Sequence, residues 1–231
     1  MGTLDICYTI RLDRDRVEIF DVQLDEETLE IYTPPPTDLP DWTALEFHQC
    51  PNCPLEANTH PQCPLSVAIV CIVRRFDNVI SHDEVDVVVE TRNRKIFKHT
   101  TSQAALSSLM GLVIAASGCP NTAFFKPMAR FHLPFSSEAE TLARAVGTYL
   151  TAQYLRREDG APGDLELTGL DEIYETMRVV NLATAARLRA ATSTDSSLNA
   201  VVRLDMYAQM APFFIRTRLA QLRGPFTTFL A

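Results

Sequence analysis

Positive charge is scarce in this chain: 21 Lys and Arg stand against 29 Asp and Glu, a formal net charge of −8. That balance speaks against a nucleic-acid partner, because such affinity comes largely from clustered Lys and Arg that displace counterions. Long apolar runs are missing too. The longest, LSVAIVCIV (65 to 73) and LMGLVIAA (109 to 116), fall far short of the roughly 20 residues that span a bilayer. MGTLDICYTIRLDRDR turns polar at once, without a charged n-region leading into an apolar h-region. The expectation is a soluble cytoplasmic protein with no membrane partner. No G-x-S-x-G, P-loop, Rossmann or H-E-x-x-H pattern occurs, so a catalytic nucleophile with its base and oxyanion donors cannot be assembled. Internal repeats and low-complexity segments are also absent.

What is present suffices for a core. A chain of 231 residues that is 46% hydrophobic buries ample apolar surface without metal or disulfide staples. The pattern predicts one α+β domain over 1–231: a small N-terminal antiparallel β meander (1–36), a Cys/Pro-rich loop (37–64), a mixed core (65–135) with a buried helix at 101–117, and a helical bundle (136–231). CYTIRL and VEIFDV alternate apolar and polar residues, and LEIYT (29 to 33) offers a third strand. Pro64 suits the first position of an element running to Arg75, with Cys63 as its N-cap. EVDVVVET (84 to 91) and KIFKHT (95 to 100) predict a hairpin. Thr100 or Thr101 can cap the buried helix, and Gly118 supplies a left-handed residue after it. Ser137 and Glu140 fit a capping box for a helix to about Arg157. Helices at roughly 168–190 and 196–222 follow, with Pro212 expected to kink the second.

Four of the six cysteines precede proline: Cys50, Cys53, Cys63 and Cys119. With 14 prolines in 231 residues, about 0.4 such pairs would arise by chance at ordinary proline usage, so the dipeptide separates these four from Cys7 and Cys71. The latter two lie in β-branched surroundings and read as small core residues. The Cys-Pro thiols fall at turns, and closely spaced cysteines in a reducing compartment bind metal or do redox chemistry more often than they form disulfides. C-x2-C at Cys50 and Cys53, with Cys63 ten residues on, suits a tetrahedral ion or a cluster. Cys119 closes the set, with His60 as the alternative ligand. Structural Zn is the leading cofactor and an iron-sulfur cluster the alternative; a thiol redox couple and plain packing are also open. Pro54 replaces the glycine that commonly follows the second cysteine of a zinc knuckle. As a free thiol, Cys119 past a helix C-terminus would be held neutral by the dipole.

FFKPMARFHLPF (124 to 135) places Phe125, Phe131, Leu133 and Phe135 on one parity, expected buried, and Lys126, Arg130 and His132 on the other. These three are candidates for contact with an anion or an acidic partner, and Arg130 with His132 beside Cys119 gives an enzymatic alternative; a solvated strand face is the plainer reading. His82 and His99 are expected in turn or capping roles. Met177, Met206, Tyr207 and Met210 are expected in core packing. A nucleic-acid zinc knuckle through His60 is disfavoured, because C-x2-C-x6-H-x2-C departs from C-x2-C-x4-H-x4-C and the loop lacks basic residues.

The blocks FHQCPNCPL, HPQCPL, SQAALSSLMGLVIAASGCP and KPMARFHLPF resemble an uncharacterised bacterial family classed only as a domain of unknown function, from about Thr43 to the C-terminus. The resemblance implies a single architecture and carries no activity, substrate or ligand set. The residue pattern therefore yields a non-enzymatic metal-binding protein as the first reading, serving a protein partner or a homo-oligomer, with an iron-sulfur electron-transfer or redox-sensing protein as the second.

Overall fold

A computed structural model describes residues 2–12, 16–32, 34, 36–193, 195–218 and 223–230. Strands β1 (Thr3–Arg11) and β2 (Val17–Asp25) form an antiparallel hairpin with Tyr8 opposite Phe20. Period-two alternation sends Ile6, Tyr8, Ile10, Phe20, Val22 and Leu24 to the buried face. A second hairpin, β3 (Glu84–Thr91) and β4 (Arg94–Thr101), joins the other edge of β1, giving the order β2-β1-β3-β4. The fold is thus α+β, with one antiparallel sheet assembled from both sides of the cysteine loop.

LEIYT does not make a third meander strand. Ile31 forms a single bridge to Leu24, and its N–H goes to the Ala116 carbonyl instead of extending the ladder. The Asp25 carboxylate accepts from the Glu27 and Thr28 N–H groups, and Leu29 turns left-handed at φ 57°. Past this turn the pairing shrinks to that bridge, with the Asp25 N–H on the Glu30 carbonyl and the Tyr32 N–H on the Gln23 carbonyl.

Helix α1 (Pro64–Phe76) starts on Pro64 with Cys63 as its N-cap. Helix α2 (Ser102–Ala115) is buried on most of its circumference and packs against α1, β3, β4 and the C-terminal helices. Gly118, at φ 78°, takes the left-handed conformation that lets the chain leave α2. A 3-10 segment (Pro120–Phe125) and the short helix α3 (Lys126–Arg130) follow. Helix α4 (Glu138–Glu158) opens on a complete Ser137–Glu140 capping box. Helices α5 (Thr168–Ala191) and α6 (Ser196–Arg218) pack extensively on each other, with Pro212 inside α6. A last helix, α7, spans Arg223–Leu230. The expected extension of α6 over 219–222 lies outside the described residues.

The strand reading of 124–135 gives way to helical turns, because Pro120 and Pro127 both sit in first turns, where the missing N–H costs nothing, and neither can serve a ladder. The expected burial parity holds for Phe125 and Phe135, which pack against the core, and for exposed Arg130, but it breaks at Phe131 and His132. Phe131 is 71% exposed, while the His132 ring turns inward onto Tyr8. Cys7 and Cys71 also depart from expectation. Cys7 lies on the outward face of β1 beside Asp21, and Cys71 is exposed on α1, because the buried stripe of that helix runs through Leu65, Ile69, Ile72 and Phe76. Among the described residues, no single helix is long and apolar enough to cross a membrane.

Candidate functional site

Each Cys-Pro dipeptide places its cysteine just before a backbone direction fixed by proline. Cys50-Pro51-Asn52-Cys53 is a turn closed by the Cys53 N–H on the Cys50 carbonyl at 2.9 Å, with proline at the second position, which its fixed φ favours. Cys63 and Cys119 are the residues before helical segments whose first residue is proline. At Cys119 the N–H groups of Asn121 and Thr122 interact with the thiol in the direction that favours a thiolate, as at any N-cap position.

Cross-links bring these segments together. The Cys63 N–H donates to the Thr43 carbonyl and the Leu45 N–H to the Pro61 carbonyl. The Thr43 hydroxyl donates to Gln62 Oε1 at 2.6 Å. Asn121 Nδ2 donates to the Asn52 carbonyl at 3.2 Å, and Asn52 Nδ2 to the Thr176 carbonyl on α5 at 3.3 Å. Arg187 of α5 is buried and donates to three loop carbonyls, Trp42 and Ala44 from Nη1 at 2.8 and 2.7 Å and Leu45 from Nη2 at 2.7 Å. It is a guanidinium that sequence spacing could not reveal, because its partners are backbone atoms more than 140 residues away.

The four Cys-Pro thiols share one neighbourhood. Burial first, then the proximity of Cys63, Cys119 and Cys53, pushes Cys50 up to about 12, with Arg187 opposing the shift. Cys119 is pushed up to about 11, first by burial, with Cys63 and Cys53 adding to it. Its neutral state therefore has a different cause from the helix dipole: desolvation dominates, and the adjacent N–H groups pull the other way. Cys50, Cys63 and Cys119 also pack against the hydrophobic core. Among the described residues no group of three or more His, Cys, Asp or Glu side chains is drawn together tightly enough to hold a metal ion. Protonated thiols have no reason to converge further. Sulfurs on a tetrahedral Zn with 2.3 Å bonds would stand about 3.8 Å apart. The shared influence of the thiols is longer-ranged than that, so coordination requires a closing movement of the side chains. His60 is exposed, with Nδ1 on the Thr59 hydroxyl at 2.9 Å.

Lys126, Arg130 and His132 do not form one face. Lys126 pairs with Glu30 at 2.6 Å, and Arg130 donates to the Glu26 carbonyl at 3.1 Å. His132 Nε2 meets the Tyr8 hydroxyl at 2.5 Å, and the Tyr8 hydroxyl meets Ser108 Oγ at 2.8 Å. Burial, then the Arg144 charge, pushes His132 down to about 3, so the imidazole is neutral at physiological pH. The helical turns at 120–130 scatter the three side chains that strand parity would have aligned. His99 lies on β4 with Nδ1 on Asp86 at 2.8 Å, and His82 occupies the turn before β3.

A cavity of about 530 Å³ is lined in part by the Pro120–Arg130 segment. Its walls come mainly from α2, α3, α4, α5 and α6, and they include Phe125, Met128, His132, Arg144, Tyr174 and Tyr207. Met177, Met206 and Met210 line it too, although Met206 and Met210 are 56% and 38% exposed rather than packed in the core. Arg144 Nη2 donates to the Met128 carbonyl at 2.7 Å and to Phe131 at 3.1 Å. The Tyr174 and Tyr207 rings meet edge-on at 5.9 Å; their hydroxyls interact with each other, but neither completes a well-formed hydrogen bond. Each such buried hydroxyl costs about 1–3 kcal/mol.

Residues 6–227 match the family model DUF6901, a domain of unknown function. The chain belongs to that family. No curated protein and no solved structure matches it. The match covers the sheet, the cysteine neighbourhood and the cavity together, so all three belong to one family unit.

Proposed function

We propose that this chain is a non-enzymatic metal-binding protein in which Cys50, Cys53, Cys63 and Cys119 hold one Zn ion that ties the proline-rich loop to the helical body. The observation that carries the reading is the convergence, from three separate segments, of the four cysteines that precede proline, with Cys7 and Cys71 left elsewhere. Four soft thiolates are the donor set of closed structural sites. A bound cation would deprotonate the buried thiols that are otherwise held neutral, and Arg187 supplies a positive charge beside the resulting anionic centre.

Elemental analysis of untagged, anaerobically purified protein tests this. About one Zn per chain is expected, lost in Cys63→Ser and Cys119→Ser and retained in Cys7→Ser and Cys71→Ser. Brown protein with labile sulfide would assign the same thiols to an iron-sulfur cluster. Neither metal nor sulfide would end the reading.

A further inference from the structure

The cavity beneath α3 has a composition that the metal reading does not use. Its apolar wall is built from Phe125, Met128, Met177 and Leu204. At one end stand groups that donate rather than accept. The Arg144 guanidinium is permanently charged and spends Nη2 on two carbonyls, Met128 and Phe131. Tyr174, 2% exposed, and Tyr207 bring hydroxyls that interact with each other and complete no well-formed hydrogen bond. Their rings are set by neighbours: Phe125 meets Tyr174 at 5.8 Å, and Tyr174 meets Tyr207 at 5.9 Å. Also in the lining, the Phe135 N–H donates to Ser108 Oγ at 3.2 Å. Ser108 can then donate to Tyr8, and Tyr8 to His132 Nε2. That sequence of bonds leaves the imidazole proton on Nδ1, a further donor on a residue lining the cavity. Phe135 holds its place at φ 58°, a left-handed conformation that a bulky residue adopts only when its surroundings hold it.

Among the described lining residues Glu138 is the one carboxylate, and its charge acts on Tyr207, whereas Arg144, Arg203 and Lys98 supply three positive charges. Buried polar atoms are satisfied in the great majority of native sites, and unsatisfied ones call for an explanation. Here they cluster beside a cation at the end of an apolar cavity. The volume lies in the range of small-molecule sites, which combine apolar walls with a few placed polar groups.

We propose that this cavity binds a small organic carboxylate with an apolar body, its carboxylate received by Arg144 and the Tyr174 and Tyr207 hydroxyls. The apolar body lies along the methionine and phenylalanine wall. A carboxylate offers acceptors to every free donor and balances the guanidinium charge, whereas an alcohol meets the donors without balancing the charge. An amine of the same length meets neither.

Isothermal titration of the full-length, metal-loaded protein with octanoate, octanol and octylammonium tests the charge preference. Octanoate is expected to bind one per chain, at least tenfold tighter than octanol, with octylammonium showing no saturable binding. Arg144→Met is expected to weaken octanoate by on the order of 100-fold, the size of a lost charged hydrogen-bonding partner, while leaving octanol nearly unchanged. Because that variant also loses two bonds to backbone carbonyls, Tyr174→Phe provides an independent arm. It removes an unsatisfied hydroxyl, so the unliganded protein should melt at a higher temperature while octanoate affinity falls several-fold. A purely structural tyrosine would not move both quantities in opposite directions. Equal affinities for the three probes, or a Tyr174→Phe protein that is less stable and binds octanoate normally, would overturn the proposal. Zinc content measured on the same samples separates this outcome from failure of the metal site.

Discussion

The cysteine neighbourhood and the cavity share one short segment, Pro120–Arg130, which starts from Cys119 and lines the cavity through Phe125, Met128 and Ala129, and they are built by opposite means. The first is made of loops fixed by proline and by hydrogen bonds to backbone carbonyls, and its reactive groups are chemically alike. The second is made of helix faces, and its polar groups (a guanidinium, two phenols and an imidazole) come from α4, α5, α6 and the 131–135 turn. Where loops carry a site, sequence neighbours and dipeptide chemistry record it. Where helices carry it, the residues are scattered, and each one alone looks like packing.

The largest expected effect separates the two regions by metal. If four thiolates bind Zn, chelation or Cys119→Ser removes a ligand that stabilises the folded state by about 4 kcal/mol at a thousandfold excess over Kd. For a chain of this length that corresponds to a fall in melting temperature on the order of 10 °C. Binding should also release protons, up to four per ion, because Cys50 and Cys119 are protonated as free thiols until well above neutral pH. Melting curves with and without chelator, and titration in two buffers of different ionisation enthalpy, measure both. A melting temperature unchanged by chelator would leave the loop held by hydrogen bonds alone.

Those bonds can be broken separately. Arg187→Met removes the donor from three carbonyls and leaves them buried, which should destabilise the fold by about 3 kcal/mol, as expected for breaking a buried charged cluster. Denaturant unfolding measures it, and Arg187→Lys should recover less than half, because an ammonium cannot reproduce the planar fork. If Arg187 also offsets an anionic metal centre, the methionine variant should bind Zn more weakly. In the cavity, by contrast, the matching change at Arg144 leaves metal affinity nearly untouched.

On the cavity side, His132 gives a pH signature. Its folded pKa, about 3, lies below the ordinary histidine value of 6.5. Between those values the unfolded chain binds a proton that the folded chain refuses, so stability is full above pH 6.5 and falls as pH drops toward 3. The slope for one such group is about 1.4 kcal/mol per pH unit. Chemical denaturation between pH 6.5 and 5, where carboxylates contribute little, should show this slope in the parent and a flat response in His132→Gln. An equal slope in both would place the proton-linked group elsewhere.

The contrast also explains what was legible before any coordinates. The hairpin at 84–101, the Ser137–Glu140 capping box, the Gly118 helix end and the Cys63-Pro64 helix start are local rules, and each appears in the fold. LEIYT stops at one bridge to β2 because the Ile31 N–H goes to Ala116, a partner 85 residues later that periodicity does not see. FFKPMARFHLPF failed because alternate hydrophobic residues suggest a strand, whereas Pro120 just before it and Pro127 within it start helical turns. Met206 and Met210 follow helical spacing, but α6 turns them to the cavity rather than to the core. Tyr8, Arg144, Tyr174 and Arg187 carried no signal at all in sequence. A lone tyrosine or arginine on a helix or strand is common, and only tertiary packing shows which one completes no well-formed hydrogen bond or meets three carbonyls.

The smallest expected effect tests whether the two regions communicate. Cys119 is the residue from which the Pro120–Phe125 segment starts, and Phe125, Met128 and Ala129 on that segment and α3 form part of the cavity wall. Metal binding would fix Cys119 and so restrict the angle at which this wall meets α5, to which Phe125 is tied through Tyr174. The constraint acts on a segment already held by Asn121 on Asn52 and by Thr122 on the Cys119 carbonyl, so the coupling should be near the lower end of the usual 1–3 kcal/mol, about fivefold in affinity. Octanoate should therefore bind about fivefold more weakly to metal-free protein, and by linkage Zn should bind more weakly by the same factor when octanoate is absent. Competition against a zinc chelator, with and without octanoate, measures the second quantity without reference to the first. Equal factors in the two titrations would establish one thermodynamic cycle, whereas a loss of octanoate binding with no matching change in Zn affinity would mean that chelation had damaged the cavity itself.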